Sequence, residues 1–189
     1  MPHPLIPSPT WRRGSTHSYV KKIKKYFMED DDDFDFNFDD LSDEEKEEID
    51  KQHREEQQAL KNSPVYKKAF EIYNTVSALV ESLSDEDKEF YQSTLLESSM
   101  MLAPKIAGAF GSESWLICMQ NASIIRYHAE YLHTSTSGLR LFTKAQKEYV
   151  QLLRTEMEEF RELFKEWVQT FRNLEHEEYV DEWGLFLRE

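Results

Sequence analysis

From Ser63 onward, apolar residues recur every three or four positions, the period of a helix that buries one face. Val65, Ala69, Ile72, Val76, Leu79 and Leu83 form the first stripe, and Phe70 and Tyr73 widen it. Ser63-Pro64 supplies the start, a cap followed by proline at the first helical position. Ser84 separates this helix from the next, whose Asp85, Glu86 and Asp87 sit where the helix dipole favours negative charge. The second helix is expected to reach about residue 108, with Tyr91, Leu95, Ser98, Met101, Leu102 and Ile106 facing inward. Pro104 within it predicts a kink or a break. After a corner at Gly111-Ser112, Ser112 and Glu113 open a third helix carried by Trp115, Met119, Ala122, Ile125, Ala129 and Leu132. The stretch STSGLRLF, 135–142, reads as the next connection. Thr143 and Gln146 then form a capping box for a fourth helix of about thirty residues, sustained by Tyr149, Leu152, Leu153, Met157, Phe160, Phe164, Trp167, Phe171 and Leu174. Four such helices with short links predict an all-α fold over 63–174, an antiparallel up-down-up-down four-helix bundle.

Charge divides the rest of the 189 residues, whose formal net charge is −14. Residues 1–27 carry six bases, no acid and four of the six prolines, and read as a disordered basic tail. Composition changes abruptly at Met28, which makes that methionine a candidate start of translation. Residues 28–62 hold sixteen acids against four bases, a density at which like charges repel and little surface can be buried. Within this acidic arm Phe34, Phe36 and Phe38 alternate with Asp35 and Asn37, a pattern that fits either a solubilising tail or a docking segment with aromatic anchors. Ser42 and Glu45 form a capping box for a sparsely apolar, solvated helix. The C-terminal tail, 175–189, adds Trp183 and Phe186 as candidate partner contacts.

No chemical motif rises from this background. GxGxxG, GxxxxGK[ST] and GxSxG are absent from the sequence. Cys118 is the single cysteine, expected as a buried, unreactive thiol; one cysteine gives no internal disulfide, which fits a reducing, cytoplasmic setting. Glu130 and His133 have the Glu-x-x-His spacing of a carboxylate-bridged metal pair, but the bundle lacks the second such unit, so a ferritin-like metal protein is the weakest reading. His128 and His133 read as polar-face or interface residues. Arg154, Arg161, Lys165 and Arg172 would make a basic strip, diluted by the glutamates between them. Neither catalytic residues nor a cofactor or metal site are expected.

The stretch SSMMLAPKIAGAFGSESWLICMQNASIIRYHAEYL resembles the small four-helix-bundle family encoded in intervening sequences of bacterial ribosomal RNA genes. Ile106-Ala107 match the I-A of that family's N-I-A-E-G segment, Ser112 or Ser114 its corner, Ala122 and Ser123 its small pair, and Glu130 its later acid. Ala69, Glu71 and Ile72 are similar to its first helix, so the resemblance spans about residues 63–170. The chain departs from the pattern with Lys105, Gly108 and Ala109 at the family's asparagine, glutamate and glycine. The resemblance implies a bacterial, non-enzymatic, self-associating protein, with a ring such as a pentamer among the forms. One branch, the accessory variability determinant of diversity-generating retroelements, binds nucleic acid through a basic surface, whereas this chain has the opposite charge balance.

Together these readings predict a non-catalytic interaction or scaffold protein without a membrane-spanning segment. It would associate with itself and recruit an unknown protein partner through the acidic arm or an aromatic surface. Large aromatics such as Trp115, Trp167 and Phe171, more than a slim bundle readily buries, motivate that surface. The alternative is an accessory protein associated with nucleic acid or ribonucleoprotein.

Overall fold

The computed structural model describes residues 42–174. Phe34, Phe36, Phe38, Trp183 and Phe186, with the basic tail, most of the acidic arm and the C-terminal tail, lie outside the described residues. The chain divides between Glu47 and Glu48 into two units. The described part of the first is the start of α1 (Asp43–Asn62). There the Ser42 hydroxyl accepts from the Glu45 backbone N–H while the Glu45 carboxylate accepts from the Ser42 N–H, at 3.3 and 3.0 Å, as the capping box predicts.

The second unit holds the rest of α1 and then α2 (Pro64–Glu81), α3 (Asp85–Ala109), α4 (Trp115–Phe142), α5 (Lys147–Gln169) and a 3₁₀ segment at Thr170–Asn173. The described residues are all-helical, without a strand, and none of their helices is long and apolar enough to cross a membrane. α2 packs on α3 and α5, and α4 packs on the same two helices, so the contacts close a ring. Inside it lies a core containing Ile72, Leu79, Leu102, Ile125, Leu132 and Phe160. A second cluster at one end joins Ala109, Cys118, Ala122 and Phe171, with Trp115 and Trp167 packed against it.

Local chemistry sets the boundaries. The Ser84 hydroxyl accepts from the Asp87 N–H at 3.2 Å and caps α3. Beyond α3, Gly111 takes φ 77°, a left-handed conformation that suits glycine and turns the chain. α4 is capped by Ser114, whose hydroxyl accepts from the Ile117 N–H at 3.3 Å, two residues later than the sequence suggests; Ser112 instead accepts from the Ser114 N–H. α3 continues unbroken through Pro104. The proline costs one hydrogen bond, to the carbonyl of Met100, and both residues are exposed.

The stretch 135–142 is not a connection but the last two turns of α4. Thr136 and Leu139 continue the buried stripe of Leu132, and the hydroxyls of Ser135 and Thr136 donate to the carbonyls of Tyr131 and His133, both at 2.7 Å. Hydroxyls satisfied within the helix no longer compete with it. Thr143 ends α4 and its hydroxyl accepts from the Ala145 N–H at 3.1 Å, so the expected capping box with Gln146 does not form and α5 starts at Lys147. Gly138 lies inside α4 with nothing within 4 Å of a Cβ placed there. Gly138→Ala is therefore expected to raise stability by about 0.5–1 kcal/mol, through a less flexible unfolded chain. Thermal melts of the two proteins check this; a lower melting temperature would show that residue 138 is not helical.

Candidate functional site

Two features of the second unit depart from a plain core. The first is an open groove of about 250 Å³ between α2 and α3. Tyr66, Ala69, Phe70 and Tyr73 supply one wall, and Ser99, Met100, Ala103 and Pro104 the other. Ala69, Ser99 and Ala103 are buried, and their short side chains leave the space between the two helices. Phe70 is 47% exposed and Met100 56%, so the expected widening of the α2 stripe by Phe70 is corrected: its ring stands at the surface. Tyr66 meets it edge-on, with centroids 5.0 Å apart and an interplanar angle of 76°. Since Pro104 has no N–H, the Met100 carbonyl on the opposite wall lacks its usual helical donor. The groove thus offers aromatic faces, a thioether and a backbone acceptor.

The second feature is a buried acid on the α2–α5 seam. Glu156 is only 9% exposed. Its Oε1 accepts from the Thr75 hydroxyl at 3.0 Å, and its Oε2 has no partner. Desolvation is the main cause pushing its carboxyl above the ordinary glutamate range; the Thr75 bond and the Lys68 charge oppose it, while Glu71 and Glu159 add to it. Lys68 bonds Glu159 at 2.7 Å and also pairs with Glu71. Desolvation is the largest single influence on Lys68, yet its two carboxylate partners together hold its ammonium above the ordinary lysine value. A lone buried carboxyl facing a threonine can take or release a proton but has no activated nucleophile beside it.

The other candidates resolve individually. Cys118 is 1% exposed and its thiol donates to the Ala109 carbonyl at 3.4 Å; burial pushes its pKa up, away from the reactive thiolate. Glu130 pairs with Arg126 and His133 with Glu158, at 2.9 and 3.0 Å, so the Glu-x-x-His unit is divided between two different partners. Among the described residues, no three or more His, Cys, Asp or Glu side chains are grouped to hold a metal ion. His128 shares a hydrogen bond with Ser98 across the α3–α4 seam at 3.2 Å. Of the basic strip, Arg161 pairs with Glu158 and Lys165 with Glu162, Arg154 bonds the hydroxyls of Thr136 and Ser137, and Arg172 is exposed.

The aromatics that suggested an interface are also placed differently. Trp115 and Trp167 are half-buried and Phe171 is 4% exposed, all in the second core cluster. The large apolar side chains left at the surface include Phe70, Phe90, Met100, Tyr127, Leu141 and Phe142. No family model, curated protein or solved structure matches this chain.

Proposed function

We propose that the chain is a non-catalytic interaction protein of the cytoplasm. In this reading α2–α5 form an antiparallel up-down-up-down bundle that associates with itself and recruits a partner helix into the α2–α3 groove. The bundle topology draws support from pairs across the seams. Lys68 and Thr75 meet Glu159 and Glu156, His133 and Thr136 meet Glu158 and Arg154, and Ser98 and Ala109 meet His128 and Cys118. In each case numbering rises on one helix as it falls on the other. The resemblance of residues 63–170 to the intervening-sequence family points the same way for fold and self-association.

The observation that carries the recruiting role is the groove with Phe70 and Met100 exposed on its walls. An apolar trough between two helices accepts an amphipathic helix through side chains spaced three or four residues apart. With a net charge of −14, the chain favours a partner whose anchors are flanked by lysine or arginine. A phage-displayed library of helical peptides tests this. It is expected to enrich such basic amphipathic sequences on the full chain, with affinity at least about tenfold weaker for Phe70→Glu. Enrichment that Phe70→Glu leaves unchanged, or none at all, would refute the reading.

A further inference from the structure

We infer that the outer face of α4 is the surface on which a second copy of this chain docks, the two α4 helices crossing antiparallel about a two-fold axis at Ile124. This rests on the reading that the chain self-associates, and it names the surface. Five of the nine large hydrophobic side chains exposed among the described residues lie on α4. Three of them, Ile117 at 45%, Ile124 at 36% and Tyr127 at 69%, share one face with half-buried Tyr131.

Charge selects the occupant. Two copies of a chain with net charge −14 repel, and they approach most readily where acid is scarcest. α4 has three charged residues in twenty-eight, Arg126, Glu130 and Arg140, and is the one described α-helix with more basic than acidic residues. At about 100° per residue, Arg126 and Glu130 fall about 160° and 120° round the helix from Ile124, clear of the apolar stripe, and they pair with each other at 2.9 Å.

Spacing selects the symmetry. Ile117, Ile124 and Tyr131 are seven residues apart, the repeat that keeps one stripe facing a partner helix. Reversing the stripe about Ile124 returns its apolar spine, with Ile117 facing Tyr131 of the other copy and Ile124 facing itself, while Tyr127 faces Asn121 at the side. An isologous contact requires this self-complementarity. Ile117, Ile124 and Tyr131 occupy the centre, and Tyr127 and Asn121 lie at the flanks. Asn121 is prearranged, its side-chain amide donating to the Ile117 carbonyl at 2.9 Å.

Sedimentation of the full chain at about 50 μM, well above the Kd of a micromolar interface, is the test. The expected species is a dimer that becomes a monomer in Tyr127→Glu, a substitution at an exposed position that leaves the circular dichroism unchanged. Under mild oxidation Ile124→Cys links two copies, whereas Gln120→Cys does not link to itself, because its two copies lie eight residues, about 12 Å, apart along the axis. A monomer at this concentration overturns self-association together with this surface, and leaves peptide capture by the groove as a separate result. A dimer that persists in Tyr127→Glu overturns the α4 face alone. Absence of the bond at residue 124 overturns the register, and an odd-numbered oligomer overturns the two-fold.

Discussion

Phe160→Ala is expected to cost about 3–5 kcal/mol of folding free energy, the range for emptying the site of a large buried ring. Phe160 is 1% exposed and belongs to the main core. Its ring stacks on Phe164 with centroids 6.1 Å apart, Phe164 lies 5.9 Å from Trp167, and Trp167 meets Phe171 edge-on at 4.7 Å. These four rings follow one face of α5 and its 3₁₀ extension, from the main core into the second cluster that holds Ala109, Cys118 and Ala122. Truncation therefore removes both apolar burial and the first ring of a chain joining two clusters. A domain of this size has about 5–15 kcal/mol in total, so the variant should be close to unfolding at 37 °C. Leu152→Ala is the internal comparison: this leucine is 46% exposed and its truncation should stay within about 0.5 kcal/mol. Urea denaturation of both variants measures the difference. A cost below about 1 kcal/mol for Phe160→Ala would contradict the packing of this junction.

The contrast between Leu152 and Phe160 shows what was legible in the sequence. Helical periodicity places residues on a face to within an arc, and the centre of the arc is reliable. Ile72, Leu102, Ile125 and Phe160 are all buried as their spacing predicts. The edges are not reliable, because burial there depends on the neighbouring helix; Phe70 and Leu152 sit at edges and are exposed. The serines and threonines of 135–142 resembled a loop because composition does not reveal which carbonyls their hydroxyls bond. The stripe Leu132, Thr136, Leu139 already carried the helix onward. Glu156 had a readable signal too: with Leu153, Met157 and Phe160 it occupies the i, i+3, i+4, i+7 pattern of a buried face. Its charge disguised it among the exposed glutamates of α5. The groove was not readable, since it is a relation between Tyr66, Phe70 and Tyr73 on one helix and Met100 and Pro104 on another.

Glu156→Met is expected to stabilise the protein by about 1–3 kcal/mol at neutral pH and to lose that advantage in acid. Methionine keeps the unbranched shape and removes a buried oxygen, Oε2, that has no hydrogen-bond partner. The hydroxyl of Thr75 loses its acceptor, but a helical threonine can turn to a carbonyl of its own preceding turn. The pH dependence follows from the raised pKa of the folded state, caused first by desolvation. Between the unfolded and folded pKa values the native protein binds a proton that the unfolded chain has released, so wild-type stability falls as pH rises through this interval. The penalty is absent below the unfolded value and fully present above the folded one. Lys68 on α2 softens it, whereas Glu71 on α2 and Glu159 on α5 deepen it. The stability gap between Glu156→Met and wild type should therefore be small near pH 4 and widen toward about pH 8, while contributions from the other carboxylates cancel in the difference. Glu156→Gln should gain less, because its amide N–H would stand where Oε2 already lacks a partner. Denaturation curves collected across that pH range decide the matter. A gap of constant size would mean that folding leaves the Glu156 carboxyl unshifted, and a Met variant weaker than wild type at pH 8 would mean that Glu156 is ionised and held in the fold by a polar partner beyond Thr75.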